Sequence, residues 1–116
     1  MLVALTFAFV GCQKEATYTV NYDTDAFEKY DVTLSLMEYD ETGSEVKSNM
    51  IYHVKKGDKK VFTANEHAVK VVCQGRIELY GTTYSRYVAN VFYLEKGKNI
   101  DIDITDKTII SNRNPI

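Results

Sequence analysis

From residue 17 onward the chain repeats one pattern. Apolar and polar side chains alternate in short runs, and turn-forming residues separate the runs. Period-two alternation places successive side chains on opposite faces of an extended strand, so each run reads as a strand with one face for a core and one for water. Tyr18, Val20 and Tyr22 share a face against Thr17, Thr19 and Asn21. Val32, Leu34 and Leu36 share another against Thr33 and Ser35. Ile100, Ile102 and Ile104 alternate with Asp101, Asp103 and Thr105.

Turn chemistry falls between these runs. Asp40-Glu41-Thr42-Gly43 predicts a hairpin whose partner strand runs from about Glu45 to Val54, with Gly43 suited to positive φ. Lys56-Gly57-Asp58 and Lys96-Gly97-Lys98-Asn99 read as further turns, and Gly81-Thr82-Thr83 as a loop. Lys59 to Thr63 reads as a short strand, and the polar stretch 63–67 as a helical turn or a crossover between sheets. Val69, Val71 and Cys73 alternate with Lys70 and Gln74, in a run that residues 76–80 extend past Gly75. Tyr87 to Leu94 is apolar on both faces, as in a covered central strand. Thr108 to Ser111 closes the sheet.

No convincing amphipathic helix interrupts these runs. Seven or eight short strands at regular spacing predict an all-β, two-layer antiparallel β-sandwich, with a small barrel as the alternative. At 116 residues, 45% hydrophobic and 26% charged, the chain fits one globular domain with a modest core. The formal net charge is −2. No basic block stands out, which argues against nucleic acid as a partner.

The start of the chain follows a different logic. Residues 2–10 are uncharged and mostly apolar, Gly11 and Cys12 follow, and polarity then switches abruptly at Gln13-Lys14-Glu15. The apolar run is far below the ~20 residues that span a bilayer, but it matches the core of a secretory signal. Phe9-Val10-Gly11-Cys12 resembles the lipobox of bacterial lipoproteins. The resemblance implies cleavage between Gly11 and Cys12, diacylglycerol on the Cys12 sulfur, and a bilayer as one partner. Two departures stand out: Phe9 occupies a position usually held by Leu, and no charged residues precede the apolar run. The second suggests that the signal starts upstream of Met1. Gln13 after the cysteine resembles outer-membrane sorting, and Cys12-Gln13-Lys14-Glu15 resembles the surface-export tags of Bacteroidetes lipoproteins. The expected organisation is a signal peptide over 1–11, a lipidated Cys12 and linker over 12–16, a sandwich over 17–111, and a frayed end over 112–116. Phe92-Tyr93-Leu94-Glu95-Lys96-Gly97 resembles strand ends in the immunoglobulin-like or transthyretin-like domains of such lipoproteins.

Catalytic and metal signatures are sparse. His53 and His67 lie on different segments, with no cysteine or second histidine at zinc-ligand spacing,. No nucleophile elbow or phosphate loop occurs. Transthyretin-like hydrolases end in Tyr-Arg-Gly-Ser, whereas this chain ends in Asn112-Arg113-Asn114-Pro115-Ile116, so that activity is not implied. Asp101, Asp103 and Asp106, with Asp23 and Asp25, read as solvated carboxylates that discourage edge association. Cys73 reads as a buried thiol. No cofactor, metal or catalytic residue is expected. The candidate binding patch is aromatic: Tyr80, Tyr84 and Tyr87 with Arg76 and Arg86 around the Gly81 loop. Tyrosine offers broad contact at low entropic cost. The expected function is a non-enzymatic, membrane-anchored envelope module that binds a protein or carbohydrate. The alternative is an assembly subunit that pairs through a sheet edge. A small hydrolase ranks last and requires a pocket holding His53 or His67 beside a carboxylate.

Overall fold

The computed structural model describes residues 15–116, so the expectations for the signal segment and Cys12 fall outside the described residues. Nine strands follow in order: β1 (Thr17–Asp23), β2 (Asp31–Tyr39), β3 (Glu45–Ile51), β4 (Lys59–Thr63), β5 (Lys70–Leu79), β6 (Thr82–Val88), β7 (Phe92–Tyr93), β8 (Asn99–Thr105) and β9 (Ile110–Ser111). Among the described residues there is no helix. The strands form two sheets, one of six strands in the order β9-β6-β5-β2-β3 with β7 also on β5, and one of three in the order β4-β1-β8. The protein is therefore an all-β sandwich. One pair departs from the antiparallel rule, because β1 and β8 run parallel through seven registered pairs from Thr17↔Asn99 to Asp23↔Thr105. The first strand lies in the smaller sheet and the second in the larger.

The alternation places the core. Tyr18, Val20 and Tyr22 of β1 are buried, as are Val32, Leu34 and Leu36 of β2, Val71 and Cys73 of β5, and Ile102 and Ile104 of β8. Cross-sheet contact of these faces forms one cluster.

Several local expectations are corrected. The 80–83 loop is tighter than predicted: Tyr80 and Gly81 make the turn, and Thr82 and Thr83 already pair in β6 as Leu79↔Thr82 and Glu78↔Thr83. The expected continuous strand over 87–94 is broken. Gln74 pairs with Tyr87, and Val71 with Phe92. Three steps along β5 are thus matched by five along its partner, so two residues loop out between β6 and β7. The strand predicted to reach Val54 ends at Ile51, where the chain bends into a left-handed His53 with φ of 53°. The 63–67 stretch is a crossover between sheets, not a helical turn.

One charged residue lies in the core. Glu38 continues the inward phase of Val32, Leu34 and Leu36 and is fully buried. Tyr18 Oη donates to Glu38 Oε2 at 2.6 Å, Asn49 Nδ2 donates to the same oxygen at 2.9 Å, and the Asn65 backbone N–H donates to Oε1 at 2.7 Å. Asn49 Nδ2 also donates to Tyr18 Oη at 2.7 Å. Burial, reinforced by the Glu38 hydrogen bond, pushes the Tyr18 hydroxyl far above its ordinary range. Burial alone pushes the Cys73 thiol up to about 12.

Two outcomes follow. Glu38→Ala strands the Tyr18 hydroxyl, the Asn49 amide and the Asn65 N–H, and should cost roughly 3 kcal/mol in urea unfolding. A loss below about 1 kcal/mol would show that the network does not hold the sheets. Cys73 is raised from an ordinary 9.0 to about 12, so above pH 9 the unfolded chain ionises first. Stability is therefore complete below pH 9 and falls as pH rises toward 12. The urea midpoint should drop between pH 9 and 11, and drop less in Cys73→Ala; equal slopes in the two proteins would refute the assignment.

Candidate functional site

The larger sheet extends beyond the smaller one at the end where β5 turns into β6. β5 continues to Leu79, and its last inward positions pair as Ile77↔Tyr84 and Leu79↔Thr82. Among the described residues no side chain of the smaller sheet lines this end; Phe27 and Tyr30, from the β1–β2 connection, form the other side. Their rings meet edge to face at 6.2 Å between centroids. The result is an open groove of about 430 Å³, floored by Ile77, Leu79 and Tyr84 and closed at one side by Ile110.

Tyr80 stands at its tip. It is 96% exposed and adopts φ of 50°, followed by Gly81 at 80°. Two successive positive φ values define the type I′ hairpin turn that matches strand twist. Gly81 adopts its conformation at no steric cost, whereas a tyrosine at positive φ carries strain. The turn therefore holds a large aromatic ring in solvent on backbone that Asn or Gly would occupy more comfortably.

Among the described residues, Arg86 supplies the only charge in the groove lining. Its guanidinium lies 5.6 Å from the Tyr84 ring centroid, a cation–π distance, and its Nη1 donates to the Ser85 carbonyl at 2.9 Å. Among the described residues no carboxylate forms an ion pair with it.

The structure divides the patch expected from sequence. Tyr84 and Arg86 share the inward face of β6, with Tyr80 at the adjoining tip. Tyr87 and Arg76 lie on the opposite face by alternation, in the pairs Gln74↔Tyr87 and Arg76↔Ser85,, and Gln74 Nε2 donates to Tyr87 Oη at 3.2 Å. The sequence reading missed Phe27, Tyr30, Ile77, Leu79 and Ile110. Ile77 and Leu79 were recoverable from the inward phase of Val71 and Cys73; the other three depend on tertiary packing.

A second cavity of about 650 Å³ lies between the 24–31 and 53–56 segments. His53 borders it, its Nδ1 2.7 Å from Asp31 Oδ1, and Lys55 and Lys56 line it as well. Lys56 Nζ approaches Asp25 Oδ1 at 3.6 Å. The His67 ring Nε2 lies 3.3 Å from Glu66 Oε2, and its backbone N–H donates to Asn65 Oδ1 at 2.8 Å. Two further carboxylates are held by side chains distant in sequence. Asn21 Nδ2 donates to Asp103 Oδ1 at 2.7 Å, and Thr24 Oγ1 to Asp106 Oδ1 at 2.5 Å. Among the described residues no three His, Cys, Asp or Glu side chains gather as metal ligands. No family model, curated protein or solved structure matches the chain.

Replacing the strained tyrosine tests whether its position costs stability. Tyr80→Asn should stabilise the fold by about 1 kcal/mol through relief of positive-φ strain. A lower melting temperature in the variant would mean that the ring contributes packing to the native state.

Proposed function

We propose that this chain is a non-enzymatic binding module, tethered to a bacterial envelope membrane through lipid on Cys12, which grips a protein or carbohydrate partner in the groove at the β5–β6 tip. The supporting observation is the pairing of an uncovered apolar groove with Tyr80, an exposed aromatic held at a strained φ. Backbone strain that buys no packing is the kind retained for contact with something else.

The layout suits a tethered module. The Ala64 N–H, on the crossover that leads from β4 into β5, donates to the Ala16 carbonyl at 2.9 Å, so the chain enters the sandwich at the end where β5 begins. Tyr80 lies at the other end, beyond ten residues of β5, a span of about 30 Å. Lipid attached five residues before Thr17 would hold one pole at the bilayer and present the groove outward. Two or three acyl chains make such an anchor effectively permanent, since each buried methylene contributes about 0.8 kcal/mol.

A second reading rests on His53 and Asp31. A carboxylate at 2.7 Å from Nδ1 fixes the ring and leaves Nε2 to act as a general base in a small hydrolase. No nucleophilic side chain hydrogen-bonds to His53 among the described residues, so water would have to attack directly.

Protein isolated from its own cells should begin at Cys12 and carry the mass of a diacylglyceryl thioether; an unprocessed, unmodified N-terminus would remove the anchor from the proposal. Partner capture from envelope material or a glycan array should weaken at least about tenfold in Tyr84→Ala. Turnover of a p-nitrophenyl ester that disappears in His53→Gln would instead favour the hydrolase.

A further inference from the structure

The groove adjoins an unpaired strand edge. β9 covers only the last two residues of β6, in the pairs Ser111↔Tyr87 and Ile110↔Val88. Along Thr82–Arg86 no strand among the described residues pairs with that side of β6. The Ala89 N–H reaches the Ile109 carbonyl on the same side. Alternation then turns the N–H and C=O groups of Thr83 and Ser85 outward along the open edge. Unpaired edge groups of this kind are a template for another extended chain.

We propose, resting on the binding reading above, that the partner is a protein and that it docks as an added β-strand along Thr82–Arg86, end to end with β9. The partner strand carries an apolar or aromatic residue and, two positions away, an acidic one.

Three features select this occupant. Thr83 and Ser85 supply outward backbone donors and acceptors, which is how strand addition gains affinity without reading sequence. Tyr84 and Arg86 are two residues apart and face inward, so partner side chains opposite them also point inward. The one opposite Tyr84 enters a groove lined by Phe27, Ile77 and Leu79, with room for a ring. The one opposite Arg86 meets a guanidinium that has no carboxylate partner among the described residues. A carboxylate there would complete a charge-assisted hydrogen bond beside a low-dielectric wall. A sugar suits the site less well, because among the described residues Thr82, Arg86 and the tyrosine hydroxyls are the only polar side-chain groups lining it.

The test uses the full chain and a synthetic nine-residue peptide of threonines carrying one phenylalanine and, two positions on, one glutamate. Binding should slow amide hydrogen exchange at Thr83 and Ser85. N-methylation of the peptide backbone between its two key residues should weaken binding at least about tenfold, since it removes an edge hydrogen bond but no side chain. Arg86→Glu should invert the preference, so that a lysine-for-glutamate peptide binds better than the original.

Indifference to N-methylation or to the charge swap would overturn strand addition. So would exchange protection at the free side of β8 in place of β6. Protection of Thr83 and Ser85 that grows with protein concentration, without peptide, would assign the edge to a second copy of this chain. No peptide binding alongside Tyr84-dependent retention on a glycan array would overturn the peptide while leaving the binding module intact. Failure of both probes would bring down the module as well.

Discussion

The two sheets are joined at a buried carboxylate. Glu38 comes from the larger sheet and Tyr18 from the smaller, while Asn49 lies on the edge strand β3 and the Asn65 N–H on the crossover from β4 to β5. An apolar interface of the same area would tolerate sliding of one sheet over the other. A carboxylate that needs three donors at fixed positions tolerates little. Among the described residues no buried side-chain nitrogen or oxygen lacks a partner, so the network meets the condition under which buried polar groups specify an arrangement instead of weakening it. Lys47 adds a second tie at the adjoining edge, where its Nζ donates to the Thr63 carbonyl at 3.2 Å.

Much of this fold was readable from alternation alone. The inward faces of β1, β2 and β8 are the faces that the pattern assigns, because period two is a property of the backbone and needs no knowledge of pairing. The Asp40 turn was equally legible: the Asp40 carboxylate accepts from the Thr42 and Ser44 N–H groups at 2.9 and 3.0 Å, and Gly43 takes φ of 87°. Glu38 was legible in principle, since it keeps the phase of Leu34 and Leu36, but its charge argues for the surface until Tyr18 and Asn49 are known to be near. The break between β6 and β7 was not legible. It depends on β5 pairing with both, which no local signal in 87–94 announces.

The candidate site shows the same boundary. Tyr80, Tyr84 and Arg86 were identifiable as an aromatic–cationic cluster, and parity along β6 would have separated Tyr87 from Tyr84. What parity cannot supply is the opposite wall. Phe27 and Tyr30 are about fifty residues away in sequence from Tyr80, and only the path of the β1–β2 connection brings them to the groove. His53 and Asp31, twenty-two residues apart, come together because β3 folds back along β2 and its end bends at a left-handed residue.

The parallel pairing of β1 and β8 has a mechanical consequence. β1 is the middle strand of its sheet, bonded to β4 through five registered pairs and to β8 through seven. A tension applied between the start of β1 and the far pole acts along the strand axis, so it loads these hydrogen bonds together in shear and does not peel them one at a time. Force that reaches β1 along this axis must therefore break many hydrogen bonds at once.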